Sequence, residues 1–260
     1  MKIGNRKIGL FKIVFDSRHY RALINIFLFC REPFKFLAVY FLGLKNIKYP
    51  VVIRFKTPIG PVAAKLYSYY DFLTVNEIFF RLDYLADKKP KTVIDIGANI
   101  GISALYFLSR NQECKCYLYE PVEENVIKLK DNLKDFNGRY ELKVEAVYNQ
   151  SGEIKFGTEE FGRCGGINRV SGKYITVKCV NINSVLAEVL SQADYIDLLK
   201  IDIEGDEVAV VKAIDSKFFK KIGVIYFEID YSVNLPEDFK IFPDFFRGSR
   251  YGNTYIMKAL

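Results

Sequence analysis

The stretch TVIDIGANIGISALYFLSR, residues 92–110, decides how the rest of the chain is read. An apolar run of strand-forming residues ends on Asp95, passes two glycines four residues apart, and continues as an apolar, helix-forming segment. Strand, glycine turn and helix in that order open an α/β nucleotide-binding unit. Gly97 and Gly101 allow the backbone to approach a ligand closely and to turn into the helix. The aspartate raises a question, because a carboxylate at the end of a buried strand is costly without a partner.

Outward from this stretch the pattern alternates. Strand KCYLYEP precedes helix EENVIKLKDNLKDF, which stops at Asn137–Gly138. Strand YELKVEAVYN follows, then two strands separated by a glycine-bearing loop, residues 157–172. Helix INSVLAEVLSQA precedes strand IDLLKIDIEG, and helix DEVAVVKAI precedes strand GVIYFEID. Strands alternating with helices predict an α/β fold with a doubly wound, mostly parallel sheet. After Asp230 the remaining residues suffice for one helix and one strand, TYIMKAL, a shortened C-terminal end. Ahead of the core, residues 49–68 read as a β-hairpin turning at Pro58, Gly60 and Pro61. Residues 74–85 read as a helix opened by a Thr74–Glu77 capping box. The expected organisation is a basic, apolar helical extension over 1–48, a hairpin and helix over 49–91, and a catalytic domain over 92–260.

The chain has 260 residues, half of them hydrophobic, enough for one α/β domain with an appendage. Its net charge of +7 is unevenly placed: residues 1–60 hold 12 Lys/Arg against 2 Asp/Glu, while the remainder is slightly acidic. Such a field attracts phosphate groups. Two apolar runs, 22–30 and 36–44, are separated by Arg31, Glu32, Pro33 and Lys35. A membrane span needs roughly 20 apolar residues, so neither run spans. They suit helices packed on the domain, or amphipathic helices at a membrane surface. Asp16, Arg18 and Arg21 interrupt any signal-peptide core. Five cysteines without a Cys-x-x-Cys spacing, and a single histidine, His19, give no zinc pattern. A reduced, cytoplasmic setting is expected, with a peripheral place at the inner membrane face as an option.

The ligand follows from the acids. The dinucleotide fingerprint needs a central glycine, but the run here is Asp95-x-Gly97-Ala98-Asn99-x-Gly101. A carboxylate so close disfavours a pyrophosphate. A second acid, Glu120, ends the next strand, where an acid accepts hydrogen bonds from ribose hydroxyls. Together the two suit a nucleoside carrying an amino acid, which describes S-adenosylmethionine. The plainer alternative makes Asp95 a helix cap and Glu120 a solvated strand end.

The segments VIDIGANIGISAL, YLYEPVEEN, EAVYNQSGEIKF and LLKIDIEGDE, with DFLTVNEIF ahead of them, resemble the FkbM-type methyltransferases over residues 70–231. The resemblance implies a class I methyltransferase (Rossmann-like) fold and S-adenosylmethionine as cofactor. It assigns Asp95, Gly97, Ala98, Asn99 and Gly101 to the methionine part and Glu120 to the ribose. Pro121, Val122, Ala146 and Val147 would lie near the adenine. It also implies a sugar, glycan or glycosylated product as substrate, methylated on a hydroxyl.

In LLKIDIEGDE, strand alternation places Lys200, Asp202 and Glu204 on one face and Leu199, Ile201 and Ile203 on the other. Transfer to an alcohol needs alignment and removal of a proton. Asp202 is the first candidate base, Glu204 the second, with Lys200 tuning both. The competing reading pairs these charges with one another and has Asp202, Glu204 and Asp206 cap the next helix, a role expected of Asp206 and Glu207 in either case. YFEID adds Glu228 and Asp230. The family commonly carries Glu-x-His here, so Asp230 stands where the histidine would be, as a substitute base or a binder of sugar hydroxyls. These carboxylates could hold Mg²⁺ or Ca²⁺, but no ligand spacing demands it and no metal is expected. The loop 157–172, with Arg163 and Arg169, either closes over the site or is a mobile connector, and Tyr69 and Tyr70 either stack on a sugar or join the core. The competing function is an RNA methyltransferase, which suits the basic N-terminus. Against it, the strand ends in DIEG and lacks the Asn/Asp-Pro-Pro-aromatic turn used to methylate base amino groups, so nucleic acid is disfavoured.

Overall fold

The computed structural model describes residues 2–3, 6–7, 17–43, 47–86, 89–158, 165–166, 173–203, 207–229, 242–251 and 254–260. They fall into two compact units, Met1–Leu85 and Ala86–Leu260. The extension and the hairpin segment thus belong to one body.

The first unit contains α1 (Ser17–Phe29), α2 (Pro33–Leu42), a hairpin of β1 (Val51–Thr57) and β2 (Gly60–Leu66), and α3 (Tyr69–Val75), which continues as a wide π-turn over Asn76–Phe80. Pro33 opens α2, where its missing N–H costs nothing. The hairpin alternates, burying Val51, Ile53 and Phe55 with Ala64 and Leu66. An aromatic cluster closes the core: the Phe36 ring lies 4.9 Å from that of Phe80 and 5.5 Å from that of Phe72. The helix expected at Thr74 begins five residues earlier. Asp71 accepts the backbone N–H groups of Tyr67 (2.6 Å) and Ser68 (2.9 Å) and so satisfies its start. Thr74 lies inside the helix, its hydroxyl donating to the Tyr70 carbonyl.

The second unit is built on β3 (Thr92–Ile96), α4 (Ile102–Leu108), β4 (Lys115–Tyr119), α5 (Glu123–Asn132), β5 (Tyr140–Lys143), β6 (Ala146–Tyr148), β7 (Gly152–Thr158), β8 (Lys173–Asn181), α6 (Ile182–Leu190), β9 (Ile196–Ile201), α7 (Glu207–Lys212), α8 (Ser216–Phe219), β10 (Ile222–Glu228), β11 (Phe246–Tyr251) and β12 (Thr254–Ala259). Seven strands form one sheet in the order β11-β12-β10-β9-β3-β4-β5. From β5 to β10 all neighbours are parallel, and β12 runs antiparallel between β10 and β11. The expected doubly wound sheet is present. Its order reverses between β3 and β9, and ligands bind at the carboxyl ends of strands at such a point.

Every residue of β3 is buried, as befits a central strand covered on both faces. One face is apolar: Ile94, Ile96, Leu199, Ile201, Ile225 and Phe227 pack with α6 and α7. Each such side chain contributes about 1.5–3 kcal/mol on burial. The alternating positions, Asp95 and Lys200, point to the other face.

Two elements differ from the sequence reading. YELKVEAVYN is two strands, because β5 closes the edge of the large sheet while β6 pairs with β8 in a smaller one. The C-terminal end holds two strands rather than one, a hairpin of β11 and β12. FRGSRY carries little apolar signal and gains its strand conformation from pairing with β12.

Candidate functional site

Asp95 and Lys200 are register partners on the adjacent parallel strands β3 and β9, so the pleat brings their side chains to one face. Both are fully buried. The Lys200 ammonium donates to Asp95 Oδ1 at 3.0 Å and to the Gly97 carbonyl at 3.1 Å, and it lies 3.3 Å from Asp202 Oδ2. The second Asp95 oxygen accepts from the Ser103 hydroxyl at 2.5 Å. Burial works against the Lys200 charge, but Asp95 and Asp202, with Glu228 further off, outweigh it and hold the pKa above the ordinary lysine range. Lys200 therefore stays charged. It ties the first strand, the glycine turn and the end of β9 into one unit. Asp95 sits beneath the turn, engaged by the protein's own cation and hydroxyl.

The turn itself is left-handed at Gly97 (φ 78°), Asn99 (φ 48°) and Gly101 (φ 84°). A Cβ on Gly97 would come within 1.8 Å of the Asp202 carbonyl oxygen, and one on Gly101 within 3.1 Å of Leu129 in α5. The Asp202 N–H donates to Ile96 O at 3.1 Å, completing the seam between turn and strand end. Ala98 and Ile100 are buried, while Gly97 and Asn99 reach the surface. Asn132 of α5 donates to the Ile100 carbonyl at 2.9 Å and pins the turn from behind.

Glu120 stands across from it. Its Oε2 accepts the Asn99 N–H at 2.8 Å, and its Oε1 accepts the Val122 N–H at 3.0 Å and the Asn125 amide at 3.2 Å. Burial pushes its pKa up, and these three donors offset part of that rise. A carboxylate has about four acceptor positions. Three are met here, so a further hydroxyl donor is accommodated where the buried charge gains from one. Glu120, Gly97 and Asn99 are thus the groups here that could hold a nucleoside ligand.

Of the other predicted residues, Val122 packs in a small cluster with Ala146, Phe156, Val177 and Cys179. Val147 lies in the main core with Ile94 and Tyr119, and Pro121 is half-buried beside Glu120. Asp202 is about three-tenths exposed at the end of β9. Glu228 accepts from the Thr254 hydroxyl at 3.3 Å. Glu207 is buried and accepts the Ile203 N–H at 3.1 Å, ahead of the helix it opens. Glu204, Asp206, Asp230, Arg163 and Arg169 lie outside the described residues. Tyr69 donates its hydroxyl to the Tyr40 carbonyl at 3.0 Å, within the first unit. Among the described residues no cluster of three or more His, Cys, Asp or Glu could hold a metal ion. Sequence reasoning passed over Ser103, Asn125, Asn132 and Thr254. The signal for Ser103 was present: it is the one small polar residue in the otherwise apolar helix ISALYFL.

The methyltransferase FkbM domain matches residues 95–252, more than half of the chain. The chain belongs to the FkbM methyltransferase family. That membership makes S-adenosylmethionine the methyl donor of the domain. The AMB antimetabolite synthetase AmbE of Pseudomonas aeruginosa is 24% identical over 62% of this chain, which spans 9% of that synthetase. Among solved structures, the FkbM methyltransferase of Methylobacillus flagellatus is 16% identical over 58% of this chain and 36% of its own, with a TM-score of 0.41. A methyltransferase of Geobacter sulfurreducens is 14% identical over 69% of this chain and 76% of its own, with a TM-score of 0.42. An rRNA methylase of Streptococcus thermophilus is 12% identical over 70% and 96%, with a TM-score of 0.40.

Proposed function

We propose that this FkbM domain transfers the methyl group of S-adenosylmethionine to a hydroxyl of a sugar, glycan or glycosylated, lipid-linked product. The observation that carries the reading is Asp202: a partly exposed carboxylate at the carboxyl end of β9, held 3.3 Å from a permanently charged lysine and against the glycine turn. An alcohol is a poor nucleophile until its proton is taken or its oxygen polarised. The donor, when bound, supplies an electrophilic methyl group. Asp202 then orients the hydroxyl and accepts its proton, with the Lys200 ammonium 3.3 Å away to balance the carboxylate's charge. Asp95 acts through Lys200 and the turn rather than by touching the methionine. Glu228 lies near enough to Lys200 to add to its charge balance. Glu204 and Asp230 complete the acid set as further candidates for the base and for binding sugar hydroxyls, and a cytoplasmic setting suits the donor.

The test is transfer of label. The full chain is incubated with methyl-labelled S-adenosylmethionine and either a lipid and glycan extract or total RNA. Label in the glycan fraction, lost in Asp202→Asn, supports the proposal. Label in RNA alone replaces it with the nucleic-acid reading, which the basic first 60 residues favour.

A further inference from the structure

We propose that the outer face of α1 and α2 docks on an anionic lipid bilayer. In the first unit, α1 is apolar on both sides. Its inner side buries Ala22 and Ile26, and Asn25 donates to the Phe80 carbonyl at 2.7 Å, which fixes the rotation of the helix. The outer side therefore cannot turn inward, yet it carries Leu23, Ile24, Phe27 and Leu28, between 44% and 59% exposed. Residues spaced i, i+1, i+4 and i+5 form one stripe on a helix. The stripe continues onto α2. The Phe27 ring meets that of Phe34 edge-on at 5.8 Å, and Phe34 and Phe41 are 76% and 69% exposed. A water-facing helix normally carries polar residues on such a side, and contiguous apolar patches of this kind mark interaction sites.

Charge identifies the occupant. Arg31, between the two helices, and Lys35, in the first turn of α2, are exposed. Glu32, the acid between them, is bound to Arg54 at 2.8 Å and leaves their charge standing. Residues 1–60 as a whole carry 12 basic and 2 acidic side chains. Large apolar side chains interleaved with cations suit an interface whose phosphates meet the cations while its acyl layer takes the aromatic and aliphatic groups. A nucleic acid offers no apolar layer. A second copy would bring Arg31 and Lys35 against their own images. No described helix is long and apolar enough to cross a membrane, so the contact is peripheral.

The full chain is sedimented with vesicles of phosphatidylcholine alone and of phosphatidylcholine mixed with phosphatidylglycerol, without methyl donor, so the outcome is separate from the proposed methyl transfer. Binding to the mixed vesicles is expected to be ~10-fold or more tighter than to the neutral ones and to weaken with salt. Phe27→Ser with Leu23→Ser, and separately Arg31→Glu with Lys35→Glu, are each expected to lower it ~10-fold or more while the circular dichroism spectrum is kept, since these side chains face solvent. No binding by the intact chain overturns the proposal. So does binding that both variants leave unchanged, or a dimer in light scattering that Phe27→Ser dissociates while vesicles stay unbound.

Discussion

Gly97 lies so close to β9 that a Cβ on it would sit 1.8 Å from the carbonyl oxygen of Asp202. The glycine is thus required twice, by its φ of 78° and by a backbone neighbour that cannot rotate away. Gly138 separates the two effects, because its φ is 81° and a Cβ there meets nothing within 4 Å. Gly138→Ala is expected to cost only the left-handed strain, about 1–2 kcal/mol. Gly97→Ala adds overpacking of about 1–3 kcal/mol and parts the turn from the strand end. Urea unfolding of both variants measures the difference. Equal midpoints would mean that the seam between turn and strand carries no energy.

The Asp95–Lys200 pair is buried on both sides, so removing one partner strands the other. Lys200→Met leaves a buried carboxylate with only Ser103 to serve it and is expected to destabilise the fold by about 3–5 kcal/mol. Asp95→Asn retains a hydrogen-bond acceptor for Lys200, which also keeps Asp202 beside it, and should cost less. The double variant should fall well short of the sum of the two, giving a coupling energy of about 1–3 kcal/mol. Denaturant midpoints of the four proteins test this, and strict additivity would show that the two groups do not share an interaction.

The central strands and the turn were legible because their signals are local. VIDIG and LLKID show strands ending on acids, and glycines mark the left-handed positions. What the sequence could not show is the register that sets Asp95 opposite Lys200, since two strands 105 residues apart meet only through the topology. Read alone, Asp95 is a buried acid in search of a partner, and Lys200 of the neighbouring strand and Ser103 are partners it has within the chain. The Thr74–Glu77 pair misled for a similar reason. Capping pairs are common in sequence, and Asp71 had already started that helix. FRGSRY in β11 was hidden because an edge strand needs no apolar alternation when its partner supplies the pairing.

Glu120 gives a pH dependence whose sign follows from its environment. Burial raises its pKa above the ordinary carboxylate value, so between that value and the raised one the folded protein binds more protons than the unfolded chain. Stability contributed by this group therefore falls as pH rises through that window. Donor affinity runs the other way, since ribose hydroxyls need the ionised carboxylate, and it should weaken on acidification sooner than an ordinary glutamate would dictate. Glu120→Gln should flatten both trends. It should also lower S-adenosylmethionine affinity ~10-fold or more, because charge-assisted hydrogen bonds are the strong ones and an amide turns a donor toward the Asn99 or Val122 N–H. Calorimetric titration at several pH values reads both effects. An affinity that ignores pH and substitution alike would remove Glu120 from the cofactor site.

Asp202 separates chemistry from binding. Its backbone carbonyl and N–H build the seam with Gly97 and Ile96, and those contacts survive any change of side chain. Asp202→Asn keeps the size of the group and the neighbouring Lys200 but removes the base. General-base catalysis is worth ~10²–10⁴-fold, so kcat should fall by that factor while the dissociation constant for S-adenosylmethionine stays within about threefold. Single-turnover transfer of labelled methyl, run beside donor titration, distinguishes the cases. If affinity and rate fell together, Asp202 would belong to the cofactor's binding surface. If neither moved, the proton would leave by another of the acids at this end of the sheet.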